Sequence, residues 1–114
     1  MDVFCHHIYE YKKGLRNLVL YTAPRSNREA IESRLEKEDL AYLICENGNK
    51  MINVFFGNPA CIDVVKSFKV CSLSKLSDEQ DFLLGIMLGY DRLKQCERYL
   101  VRKSHQIKVE DLIG

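Results

Sequence analysis

Near the start of the chain, "CHHIYE" sets Cys5, His6, His7 and Glu10 within two helical turns. These are metal-ligand and proton-transfer types. On a helix, His6 and Glu10 are i,i+4 and His7 and Glu10 are i,i+3, so either imidazole reaches that carboxylate. The two imidazoles point about 100° apart, and zinc needs three or four ligands. Cys5 or His105 would have to be brought in from elsewhere. The expectation is no metal. Phe4, Ile8 and Tyr11 face inward, and His6, His7 and Glu10 stand at a wet rim, the imidazoles titrating near the usual value.

"GNPAC" offers a second chemistry. With Asn58 as N-cap and Pro59 at the first helical position, Cys61 falls at N3. Free backbone N–H groups and the helix dipole favour a thiolate or a bound anion there. Cys61 also belongs to an apolar stripe with Val64, Val65 and Phe68, which favours a buried, inert thiol. No P-loop, G-x-S-x-G or G-x-G-x-x-G occurs, so no catalytic residues are assigned and enzymatic activity is not expected.

The third feature is charge. Arg92, Lys94, Arg98, Arg102 and Lys103 crowd one helix end, and "DEQD" opens a helix at 78–81. Ordinary helix electrostatics accounts for both. The functional reading is a patch of Arg92, Arg98, Arg102 and Lys103 that docks an acidic protein. A net charge of +1 argues against nucleic acid and anionic membranes.

The elements that position these residues follow from the pattern. The chain has 114 residues, one domain's length, and no apolar run of transmembrane length. It opens Met1-Asp2 without a basic-then-apolar leader, which predicts a cytoplasmic protein. Five cysteines, none in C-x-x-C spacing, predict reduced and mostly buried thiols. Residues 4–13 read as a helix closed by Gly14, and 17–23 as a strand ending at Pro24. "SNRE" (26–29) is a capping box opening a helix with Ile31 and Leu35 inward. Two apolar runs flank Asn47-Gly48, predicting a two-residue hairpin loop. "INVFF" is nearly all apolar and so belongs in the middle of a sheet. A second capping box at 77–80 opens a long helix that runs to about 102, kinking at Gly89 or projecting.

The fold class is therefore α+β. It is a small three-stranded mixed sheet of order 1-3-2 built from a β-α-β-β unit, with a short N-terminal helix and a long C-terminal helix or helix pair. Residues 1–103 form one domain and 104–114 a loosely ordered tail. In the long helix, Phe82, Ile86, Gly89, Leu93, Cys96 and Leu100 recur as a heptad seam. Gly85 and Gly89 add a small-x-x-x-small pair, which suggests a backbone passing close. The seam packs on the protein's own sheet or, as favoured here, on the same helix of a second subunit. That makes Phe82, Gly85, Ile86, Gly89, Leu93 and Cys96 the candidate dimer interface.

"CHHIYEYKKGLRNLVLYTA", the hairpin and "GIMLGYDRLKQCERYL" resemble a small bacterial family of uncharacterised proteins. The resemblance extends to about residue 103. It implies three strands, about five helices and a homodimer, and neither activity nor cofactor. The family is also loosely associated with genes lying beside flavodoxin genes, a neighbourhood and not a mechanism, from which an acidic redox partner such as flavodoxin is the expectation. Three readings follow: a non-catalytic homodimeric interaction or regulatory module, a partner of an acidic redox protein such as flavodoxin, or a small-ligand or thiol enzyme built on Cys61.

Overall fold

A computed structural model describes residues 2–113, with side chains described through residue 105. Three strands, β1 (Leu18–Pro24), β2 (Ala41–Asn47) and β3 (Met51–Gly57), form one sheet of order β1-β3-β2. The order matches the expectation, and its cause is burial. Every residue of β3 from Ile52 onward is buried, and only the central position covers both faces. Both ladders are antiparallel, with Val19 and Tyr42 opposite Phe56. The sheet is thus antiparallel throughout, which corrects the expected mixed ladder. β1 and β2 do run in the same direction, but each pairs with β3 instead of with the other.

Side-chain alternation gives the sheet two apolar faces. Val19, Ala23, Ile52, Val54 and Phe56 face α1 (Asp2–Lys12) and α2 (Arg28–Lys37), which contribute Phe4, Ile8, Ile31 and Leu35. Leu18, Cys45 and Phe55 face α3 (Pro59–Ser67) and α4 (Asp78–Met87), which contribute Ile62, Val65 and Leu84, with Leu88 just past the end of α4. The result is a sheet sandwiched between helices, with two cores in place of one. At the hairpin end of the second face stands the buried Asn53. Its carbonyl oxygen accepts from the Thr22 hydroxyl at 2.7 Å and from the Asn47 amide at 3.4 Å.

Several local expectations are corrected. The hairpin loop has three residues, 48–50, because Asn47 pairs with Met51. Gly48 alone takes positive φ, at 73°. The Ser26–Glu29 capping box does not form. Residues 25–27 make a 3-10 turn whose Arg25 carbonyl already takes the Arg28 N–H, so α2 starts without a side-chain cap. The inward stripe of α3 is Ile62, Val65 and Phe68, with Val64 exposed and Cys61 half-buried. Cys45 and Cys71 are joined in a disulfide, with Cα atoms 5.4 Å apart, a separation that suits the bond. This corrects the expectation of five reduced thiols. The segment after α3 folds back across the face of β2, a long-range approach that no spacing rule reveals. Cys5, Cys61 and Cys96 are free.

The long helix is two helices. α4 ends at Met87 and α5 runs Arg92–Ile113. Gly89 sits at φ 82°, its N–H bonded to the Ile86 carbonyl and the Tyr90 N–H to that of Gly85. This is a left-handed helix stop, a conformation that glycine adopts at little cost. Asp91 then caps α5, accepting the Lys94 N–H at 3.0 Å. α5 folds back along α4, with Tyr99 beside Phe82 at 5.6 Å between ring centres. The heptad seam is therefore not continuous: Phe82 and Ile86 lie on α4, as does Gly85, Gly89 lies in the turn, and Leu93, Cys96 and Leu100 lie on α5. The radius of gyration is 16.0 Å, against ~13 Å for a globular chain of this length. α5, at 22 residues, is more than twice as long as α4. α5 takes in residues 104–113, and Gly114 lies outside the described residues.

Candidate functional site

The N-terminal cluster is a surface network on α1. His6 Nε2 and His7 Nδ1 lie 3.4 and 3.5 Å from the same Glu10 oxygen. The Arg16 guanidinium donates to His7 Nδ1 at 3.2 Å, which makes that nitrogen an acceptor and leaves the ring proton on Nε2. Partial burial, and then the Arg16 charge, hold the His7 imidazole below its ordinary range of protonation, in place of the unperturbed value expected. Among the described residues, no three metal-ligating side chains converge.

Asn58 spends its side chain on its own helix, accepting the Ala60 N–H at 2.9 Å. Cys61 follows at N3, half-buried against the second core. The structure thus keeps the predicted cap but gives the thiol a packing role against the second core.

Three of the basic residues are matched within the chain. Arg98 donates from Nε and Nη2 to the two Asp81 oxygens, at 2.8 and 3.1 Å. Arg102 reaches Asp78 at 2.8 Å and Asp81 at 2.9 Å, and Lys103 reaches Glu79 at 2.9 Å. These contacts hold the Asp81 and Glu79 carboxyls below the usual carboxylate range, mainly through the hydrogen bonds from Arg98 and Lys103. The charge run therefore clips α5 to α4. An acidic partner would meet Arg98, Arg102 and Lys103 already neutralised.

What the hairpin leaves open is apolar. Gln95, Tyr99 and Arg102 of α5 turn toward α4. At 100° per residue, Leu93 lies on the opposite side, and Cys96 and Leu100 lie on the flank between. Leu93, Leu100 and Val101 are 68, 62 and 69% exposed, and Leu83 of α4 is 46% exposed. A groove of about 550 Å³ runs beside this stripe, lined by Phe82, Leu83, Cys96, Tyr99, Leu100 and, at one end, Glu79. Sequence reasoning placed Phe82, Leu93 and Cys96 in one surface and missed Leu83, Tyr99 and Val101. Their membership depends on the turn at Gly89, which brings a second helix alongside. Also unforeseen is a cavity of about 490 Å³ between the sheet and the hairpin, with Leu20, Leu84 and Leu88 in its walls and Gln95 and the Arg98–Asp81 pair at its rim.

A family model described as "Protein of unknown function (DUF2023)" matches residues 2–102. The chain belongs to that family. The match spans all three strands and helices α1 to α4 and stops within α5. It bears out the resemblance to an uncharacterised family and names no activity. No curated protein matches the chain. Among the described residues, no helix is long and apolar enough to cross a membrane.

Proposed function

We propose that this protein is a non-catalytic homodimeric interaction module, and that the α4–α5 hairpin is its self-association face. The observation that carries the reading is the set Leu93, Cys96, Leu100 and Val101, exposed along α5, with Cys96 and Leu100 sharing a groove with Phe82 and Leu83 of α4. Soluble monomers rarely leave such a contiguous apolar patch in water. A second copy fits it better than an unlike partner. The net charge of +1 opposes self-association little, and the stripe is flanked by both signs, Arg92, Lys94 and Glu97, so a two-fold contact can pair them. A stable dimer buries about 800 Å² per subunit. The face is two helices wide over the roughly 15 Å of α4 and continues along α5, roughly 33 Å in all, which supplies area toward that requirement.

The test is light scattering on Leu93→Asp and Leu100→Asp, alone and combined. Both positions are exposed, so the fold tolerates the change. The expected result is a fall from dimer to monomer mass with the parent's circular dichroism. A parent of monomer mass, or a doubly substituted dimer, overturns the reading.

A further inference from the structure

We propose that the Cys45–Cys71 disulfide is a thiol–disulfide exchange site, entered at Cys71 by a small thiol that carries carboxylates. The proposal stands apart from the dimer reading and rests on three observations. The first is access. Cys45 is 2% exposed on β2, whereas Cys71 is exposed in the segment between α3 and α4. A thiolate arriving from solvent therefore meets the Cys71 sulfur, and Cys45 is the leaving group.

The second is a hollow beside that sulfur, about 300 Å³, lined by Leu43, Val65, Lys66, Lys69, Val70 and Cys71. Its apolar floor and two ammonium groups suit a short acidic peptide better than a neutral thiol. The third is the backbone. Lys69 takes φ 58° directly after α3 and turns the chain back onto β2. The same turn that brings Cys71 to Cys45 places Lys69 at the rim, so the bond and the cationic hollow are one local structure.

The exchange balances as follows. The incoming thiolate forms a bond to Cys71 Sγ as the Cys71–Cys45 bond breaks, and the Cys45 thiolate takes a proton from water. A second thiolate then attacks the sulfur of the bound thiol and frees Cys71. Two small thiols become one disulfide, and the protein gains two electrons and two protons. In reverse, a small disulfide is attacked by Cys71, and Cys45 resolves the mixed species.

The experiment uses the full chain with glutathione as the acidic thiol and 2-mercaptoethanol as the neutral one. Remaining thiols are capped with N-ethylmaleimide and the sites are located by peptide mapping. Glutathione should appear on Cys71, accumulate in Cys45→Ser treated with oxidised glutathione, and be absent from Cys45 in Cys71→Ser. Lys66→Glu with Lys69→Glu should slow opening by glutathione about 3- to 10-fold at low salt and leave the 2-mercaptoethanol rate unchanged. Three results each overturn the proposal: glutathione on Cys45, equal slowing of both thiols, or capping of both cysteines before any thiol is added.

Discussion

The side chain of Gln95 lies against the backbone of Gly85, in the space that a Cβ on Gly85 would occupy. This is how α5 comes close to α4, and it makes the spacing of the hairpin depend on one missing methyl group. Gly85→Ala sets two effects against each other. Alanine favours a helix interior by about 1 kcal/mol, and the flexible amide of Gln95 must swing aside. The variant should stay within about 1 kcal/mol of the parent, and adding Gln95→Ala should raise it above the parent. Gly85→Leu leaves no such escape and should lose ~1–3 kcal/mol. Urea melts decide; a leucine variant as stable as the parent would refute the close approach.

Gly89 poses the opposite case. No atom lies within 4 Å of the position its Cβ would take, yet its φ is 82°. Substitution is therefore strained by backbone conformation alone. Gly89→Ala should cost about 1–2 kcal/mol, nearly the same as Gly89→Leu. Gly48, at φ 73° with open space around it, should behave alike. A steep dependence on side-chain size at either glycine would contradict this account.

The clip between α4 and α5 predicts two pH windows. Hydrogen bonds from Arg98 first, opposed by burial, lower the Asp81 carboxyl in the folded state. Its contribution is full above the unfolded value near 3.9 and is lost as pH falls through the lower folded value. The His7 imidazole is also lowered, by burial and then by Arg16. For a base this means that the unfolded chain protonates first, so stability falls as pH drops below about 6.5. Asp81→Asn should remove the acid-side loss and cost roughly 0.5–1 kcal/mol at neutral pH, because Arg98 is more than half exposed and screened. His7→Gln should remove the loss near pH 6. Melts across pH 3–8 check both, and an unchanged profile in either variant would count against the assigned group.

The short-range features were legible in the sequence. Asn58-Pro59, the box Ser77–Gln80 and the all-apolar "INVFF" each fix a local structure through their own atoms, and the order 1-3-2 follows from burial. The long-range features were not. A glycine in an apolar helical pattern reads as a close-packing site, and only the left-handed φ at Gly89 shows a stop. That one turn converts a projecting seam into a hairpin, pairs the basic run with "DEQD", and moves Leu83 and Tyr99 into the exposed face. The disulfide was illegible for the same reason, since Cys45 and Cys71 meet only because Lys69 reverses the chain.

The central claim is that the exposed face of α5 is covered by a second copy. Sedimentation equilibrium of the unmodified protein at micromolar concentration measures this most directly. The account predicts twice the 13.3 kDa chain mass, falling to the chain mass in the Leu93→Asp, Leu100→Asp variant. A parent that sediments at the mass of one chain throughout that range would contradict it.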